Sequence, residues 1–547
     1  MKGRKFLLHG KNLHHRMMVC IFKGRENVKT VQHTSESMNF TTSNEHISEL
    51  LGYMYEITDL EKLISLAEWD QHTAMPKGAG EARMYQMATL EKILHERQSA
   101  PQLGNVLKSL DDVIEQERFT DADRGLVRHA RRAYDQATKL PSELVEERAR
   151  VAVASVESWI RARQQNDFAS FAPWLQRTVK IQREIADRLG FAETRLDALL
   201  DLANPGLTTR AAEELFVPVR DVSITLLKRI QASGKTIDTS CLYGNFPLEQ
   251  QRVFCEKVAA SIGYDFVHGQ IMRSPHPFTT DFGSPLDVRF TVRYTEQFLG
   301  MALMATLHEG GHALYEQGSS RTLLRTPLAG GASAGVHESQ SRLWENALGR
   351  SELFWQKKYA LLREFFPQQF NTVDVTTFVR ALNCVEPSLI RVEADEVTYN
   401  LHIVIRFELE KALMNGEITV ESLPRLWNEK YREYLGIEPE NDTVGVLQDI
   451  HWSGGFGGFP SYTLGNLYAA QIFQTVQREC PDFAERLAGG DTSFILQWLR
   501  EHMYSVGATY LPEDLLLRLT GEPANPQYFV RYLTDKFTKI YELPQAS

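Results

Sequence analysis

Apolar residues recur at three- and four-residue steps along most of this chain. Leu50, Leu51, Met54, Ile57, Leu60, Leu63 and Ile64 form the first clear run. That spacing puts them on one face of a helix, because a turn takes 3.6 residues. The same rhythm predicts helices around 84–97, 142–165, 172–190, 208–232, 295–317, 337–366, 375–386, 394–414, 420–434, 461–478 and 493–504. Asn204-Pro205-Gly206 and Asn415-Gly416 punctuate them with turn chemistry. Strict alternation is scarce, and its best stretch, Asp287 to Tyr294, predicts a strand. No internal repeat or low-complexity linker breaks the pattern. The expectation is a single mainly α-helical domain over 45–547 with a small β-sheet near 270–294.

Composition narrows the class. Hydrophobic residues make up 43% and charged residues 24% of the 547, a globular profile that excludes collagen-like and wholly disordered chains. The 60 Lys and Arg stand against 70 Asp and Glu, a net charge of −10, which argues against nucleic-acid binding through a basic surface. Five cysteines are scattered without a CxxC pair, so a reducing, cytoplasmic setting is expected. No apolar run reaches the roughly 18–20 residues that a membrane-spanning helix needs. Residues 1–29 carry eight Lys and Arg and a single acid, Glu26. Their apolar pieces are too short for a secretory signal, so 1–44 is expected to be a basic, disordered extension.

The chemistry concentrates between 287 and 462. His308-Glu309-Gly310-Gly311-His312 is an H-E-x-x-H pattern inside a helical segment. Residues four apart share a helix face, so His308 and His312 can present two imidazoles to one metal, with Glu309 beside them as a base for water. Two buried histidines bonded within a core would show the same spacing. Gly310 and Gly311 each cost about 1 kcal/mol in a helix relative to Ala, and their pairing predicts a very close neighbour at that backbone. A catalytic zinc needs a third protein ligand. The extended pattern with a third His fails, because position 318 is Gly. Glu338, 26 residues after His312 and beyond the loop Gly330-Gly331-Ala332-Ser333-Ala334-Gly335, is the carboxylate candidate; its alternative is a surface acid on a charged helix. Arg342 stands where many zinc peptidases carry an Asp that orients a histidine, so that acceptor must come from elsewhere.

Further clusters run from Ser388 to Ile403 and from Gly445 to Trp452. Taken with Asp287-Val288-Arg289-Phe290-Thr291, His337-Glu338-Ser339-Gln340, Ile390 to Glu396, Glu68-Trp69-Asp70-Gln71 and His276-Pro277-Phe278-Thr279, they make the chain resemble the carboxypeptidase Taq family of zinc metallocarboxypeptidases. The resemblance covers roughly 48–540 and departs at Gly458, where the family pattern has an aromatic. It implies a helical, saddle-like, zincin-like body with a deep groove, and a homodimer. It also implies removal of single C-terminal residues with broad specificity, poorly at proline.

On this reading His308, His312 and Glu338 hold Zn²⁺, with Co²⁺ or Mn²⁺ as substitutes, and Glu309 is general base and then acid. Tyr399, His402 and His451 are candidates for stabilising the oxyanion, though each has a structural alternative. An exopeptidase needs a cation to read the substrate carboxylate, and an arginine fork suits it. Arg391 and Arg289 are the candidates, and the resemblance favours Arg391. The alternative for Arg289 is a salt bridge to Asp287, Glu393 or Asp395. His276 is expected to line the same pocket. The rival readings are an oligopeptidase cutting internal bonds, which needs no carboxylate clamp, and a peptide-binding protein without catalysis, against which an intact Glu309 argues. The partners expected are peptides with a free C-terminus, with no nucleic acid and no membrane.

Overall fold

The computed structural model describes residues 40, 42, 44–111, 113–116 and 118–544. Residues 1–39, most of the stretch read as a disordered extension, lie outside these. The described chain is mainly helical with one three-stranded sheet, and none of its helices is long and apolar enough to cross a membrane. The first helix, α1 (Glu45–Thr73), starts where Asn44 Oδ1 accepts hydrogen bonds from the backbone N–H groups of His46 and Ile47 at 3.0 and 3.3 Å, an N-cap.

The sheet falls where alternation placed it. β1 (Ile271–Arg273) runs parallel to β3 (Val288–Val292), and β2 (Thr279–Asp281) runs antiparallel to it on the other side, giving the order β1-β3-β2. Val288, Phe290, Thr291 and Val292 are buried. The sheet packs against α2 (Leu299–Gln317), whose buried residues lie all round the helix. Periodicity predicts this helix from 295, but it starts later. The carbonyls of Glu296 and Gln297 accept from Phe246 and Gly244 at 2.8 and 3.1 Å, so that backbone is committed outside a helix.

The stretch expected as one helix over 337–366 is three elements. α3 (Ala334–Arg342) begins at Ser333, whose Oγ accepts from the Val336 N–H at 3.1 Å. It passes into a π-helical turn, Leu343–Leu348, and a separate helix, Glu352–Phe365, is capped by Ser351. The segment expected from 394 starts as α4 (Tyr399–Asn415), because Asp395 Oδ1 takes the N–H groups of Val397 and Thr398 at 2.9 and 3.0 Å. α5 (Pro460–Glu479) packs along α3. Helices at Pro101–Asp111, Asp121–Lys139, Arg195–Ala203, Leu248–Ser261, Pro512–Thr520 and Gln527–Ile540 were outside the predicted set. In Asp121–Lys139 the buried apolar residues are only Leu126, Val127 and Ala130 among many charges.

Candidate metal centre

Two glycines bring α2, α3 and α5 together. A Cβ on Gly311 would lie 2.5 Å from the Gln340 carbonyl oxygen, and one on Gly465 would lie 2.4 Å from Glu338 Cγ. Bare backbone on both sides therefore lets α3 settle between its neighbours with Glu338 facing α2. This is the close approach that the paired glycines predict, and Gly311 accounts for it. At Gly310 a Cβ would meet Ile262 Cδ1 at 3.1 Å, the end of a movable side chain.

His308, His312 and Glu338 converge. Their ligand atoms lie within 4.8 Å of one another; Glu338 Oε2 is 3.4 Å from His312 Nε2 and 3.8 Å from His308 Nε2. Tetrahedral ligands at zinc–nitrogen and zinc–oxygen lengths sit about 3.3 Å apart, so this trio fits a small divalent cation in both donor type and spacing. The other carboxylate oxygen, Glu338 Oε1, accepts from Arg342 Nε at 2.7 Å, which turns Oε2 toward the histidines. Burial alone would raise the Glu338 carboxyl, but Arg342, His308 and His312 outweigh it and hold the group far below the usual range. Burial, joined by His337 and His308, pulls His312 down to about 4, so its ring is neutral with a lone pair to give. Burial would lower His308 too, but Glu338 and Glu345 outweigh it.

The acceptor that Arg342 cannot be is Glu345, on the π-helical turn. Its Oε2 lies 2.8 Å from His308 Nδ1 and accepts from Arg342 Nη1 at 3.1 Å. Nothing in the local sequence assigns it this partner, since His308 lies on another helix and only the packing of α2 against the π-helical turn brings the two together. Glu309 is 6% exposed. The Thr279 hydroxyl of β2 donates toward its Oε2 at 2.7 Å and lies 3.0 Å from its backbone oxygen. Burial raises the Glu309 carboxyl, against the opposing pull of His308 and Thr279. In the sequence Thr279 is only the end of the His276-Pro277-Phe278-Thr279 motif, and the register of β2 against β3 brings it to Glu309.

The remaining candidates divide. Arg342 lies with its guanidinium 4.4 Å from the Tyr399 ring centre, and Arg391 Nη1 reaches the Tyr399 hydroxyl at 3.4 Å. Arg391 Nε donates to Asp449 Oδ2 at 3.1 Å, Asp449 Oδ1 bonds His451 Nδ1, and the guanidinium is flanked by Phe459 and Tyr462 at 5.1 Å each. Glu338, Arg342, Tyr399, Arg391, Asp449 and His451 thus form one continuous chain of contacts. Arg391 Nη2 has no protein acceptor among the described residues, and the side chain is 12% exposed. Arg289 differs: Asp287 takes its Nε and Nη2 at 2.7 Å each, and it stacks on Phe282 at 4.6 Å. Its fork is committed to the salt bridge raised as its alternative. His402 is sealed in the core at 2% exposure, with Nδ1 2.8 Å from the Tyr431 hydroxyl and Nε2 buried without a partner among the described residues. His276 is exposed and lines a cavity of about 480 Å³ with Trp69, His72, Phe278 and Thr279; no hydrogen bond or ion pair joins it to Arg391 among the described residues.

Residues 49–537 match the family described as carboxypeptidase Taq (M32) metallopeptidase. The chain is 42% identical to thermostable carboxypeptidase 1 of Thermus thermophilus over 504 residues, which is 90% of this chain and 98% of that one. It is 38% identical to carboxypeptidase 1 of Bacillus subtilis over 499 residues, again 90% and 98%. Among solved structures, an M32 carboxypeptidase from Deinococcus radiodurans superposes with a TM-score of 0.87 at 36% identity, covering 91% of this chain and all of that one.

Proposed function

The chain belongs to the carboxypeptidase Taq (M32) metallopeptidases and is a metallocarboxypeptidase, and from that premise we propose how its own residues carry out the hydrolysis. His308, His312 and Glu338 hold the divalent metal, and zinc suits a donor set of two imidazoles and one carboxylate. When bound, the metal supplies Lewis-acid activation of water and of the scissile carbonyl. Glu309 takes the proton from the attacking water on Oε2 and returns it to the leaving amine, with Thr279 holding that oxygen in place. Water adds across the C-terminal peptide bond, releasing one amino acid and a peptide shortened by one residue. Tyr399 and His451 serve the oxyanion, at the near and far ends of the Arg391 cluster. Arg391 reads the substrate carboxylate through its remaining N–H edge, while Asp449 and the two flanking rings keep the fork oriented. Arg289 shapes the wall through Asp287.

The observation that carries this reading is the convergence of both histidine Nε2 atoms on Glu338 Oε2 with Glu309 buried on the same helix. The single domain spans 45–547, peptide specificity is broad and poor at proline, and the enzyme is a cytoplasmic homodimer. Free Cys241, Cys255, Cys384 and Cys480 support a reducing compartment, and light scattering tests the dimer. The decisive experiment gives the zinc-loaded protein one peptide as free acid and as C-terminal amide, with products followed by mass spectrometry. A ladder from the C-terminus in the free acid alone, lost in Arg391→Ala, is expected. Equal cleavage of both forms would remove Arg391 from its role. Glu309→Gln should keep its metal and lose turnover.

A further inference from the structure

The two histidines of the centre do not have equivalent outer partners. His308 Nδ1 meets a carboxylate directly, but His312 Nδ1 lies 2.7 Å from another histidine nitrogen, His337 Nδ1. His337 Nε2 lies 2.6 Å from Glu316 Oε1. His312 and Glu316 are four apart on α2, so the His337 ring, delivered by α3, is inserted between two side chains of one helix face.

Proton bookkeeping fixes the direction of this chain. A neutral imidazole that binds metal through Nε2 carries its hydrogen on Nδ1. The His312 Nδ1–H then needs an acceptor, and His337 Nδ1 is the atom within reach, so the His337 hydrogen sits on Nε2, where Glu316 accepts it. The other tautomer of His337 would set N–H against N–H at 2.7 Å. Glu316 excludes it, since a carboxylate offers the Nε2–H an acceptor that the Nδ1–H form would leave unused.

The surrounding backbone is built around this arrangement. A Cβ on Gly331 would lie 2.7 Å from His337 Cδ2, and Gly330, at φ +108°, would bring one 3.1 Å from Glu316 Oε2. The Tyr315 ring stands 5.2 Å from the His337 ring. The glycine-rich loop before α3 therefore closes directly over the His337–Glu316 pair, which gives that sequence feature a purpose.

We propose that His337, with its tautomer set by Glu316, is a positioning residue for the metal centre: it accepts the His312 Nδ1–H and so aims the His312 Nε2 lone pair. This rests on His312 being a ligand, as proposed above. What matters at position 337 is an acceptor atom rather than ring bulk.

The test is Zn²⁺ affinity of metal-stripped protein, measured against a chromophoric chelator, together with the visible absorption of the Co²⁺-loaded form. His337→Leu should weaken Zn²⁺ binding about 10- to 100-fold, the usual effect of losing such an outer partner, and shift the cobalt bands. His337→Gln, whose amide oxygen can accept, should recover most of the affinity. Leu and Gln variants that are equally weak, or both like the parent with unchanged cobalt bands, overturn the proposal. If His337→Leu does not fold, Glu316→Leu against Glu316→Gln decides: the Leu variant alone weakened is expected, and equal affinities overturn it. His312→Ala separates the two claims. Full metal affinity in that variant overturns the ligand assignment and the proposal with it, whereas lost affinity in His312→Ala beside an unaffected His337→Leu overturns the positioning role alone.

Discussion

The Thr279 hydroxyl reaches Glu309 Oε2 from the edge strand at 2.7 Å, so one hydrogen bond holds the rotamer of the proposed base. A hydrogen bond to a charged group contributes about 1.5–3 kcal/mol, and about 1.4 kcal/mol is a factor of ten in rate. Thr279→Val should therefore lower kcat at least about tenfold while zinc content stays as it is; an unchanged kcat would remove Thr279 from the mechanism. His402 carries a prediction of a different kind. Burial, helped by Arg391, pulls it down to about 3, so it stays neutral in the fold. Below its ordinary value of about 6.5 the unfolded chain takes up a proton that the folded chain refuses, and stability is lost as pH falls from there toward 3. At pH 5 that loss is roughly 2 kcal/mol. His402→Gln should be less stable at pH 7 yet lose less on going to pH 5, which denaturant midpoints at the two pH values would reveal; parallel losses would sink the argument. At this scale helix spacing puts His308, Glu309 and His312 together, and Glu338 is legible only as a carboxylate candidate beyond the glycine-rich loop, picked out by the family resemblance. It does not show Glu345 or Thr279, because each reaches the centre across a tertiary contact that no local spacing encodes, and Glu316, though one turn after His312, has no visible role until His337 arrives from α3.

Elements set how far those side chains can be from one another. α3 is held between α2 and α5 at two points where a neighbour's backbone or side chain already fills the space of a Cβ. The obstruction at Gly311 is the Gln340 carbonyl, which cannot rotate away as a side chain would. Gly311→Ala must push α3 outward, at about 1–3 kcal/mol for an overpacked contact, and Glu338 moves with it. A lower Tm together with weaker zinc binding is the expected pair of results, and loss of Tm without loss of affinity would show that α3 shifts without carrying its ligand. Gly458 is the contrast. A Cβ there would meet nothing within 4 Å, so Gly458→Ala should leave Tm unchanged. The glycine pair in α2 was legible as a local cost demanding a close neighbour. The break at Gly349 to Ser351 was not, because Leu353, Phe354, Tyr359 and Leu362 resume an apolar rhythm beyond it and periodicity alone reads through a short turn.

For the molecule as a whole, the centre is a problem of buried charge. Glu309, Glu316, Glu338 and Glu345 are each 6–8% exposed, and the guanidinium groups of Arg342 and Arg350 lie among them at 10% and 16%. Lys62 is spent on Asp281 at 2.7 Å. Four carboxyl groups against two guanidinium groups make this an acidic interior that a divalent cation offsets, and an uncompensated buried charge destabilises a fold. The family gives the function, but this balance follows from where segments between 281 and 350 meet, and the chain's overall charge says nothing of it. Metal binding to the folded form alone adds about 4 kcal/mol of stability at a thousand times Kd. With an unfolding entropy of about 2.1 cal/mol/K per residue over roughly 500 residues, that moves Tm by about 4 °C. Scanning calorimetry should therefore show a Tm lower by a few degrees after chelation and restored by Zn²⁺. In Glu338→Gln, which weakens the ligand set and removes one of the four charges, the chelated and zinc-supplemented forms should melt much closer together than in the parent. A parent Tm indifferent to chelation would mean that the carboxylates are neutralised by protons instead, and that the cation acts in the chemistry without holding the fold.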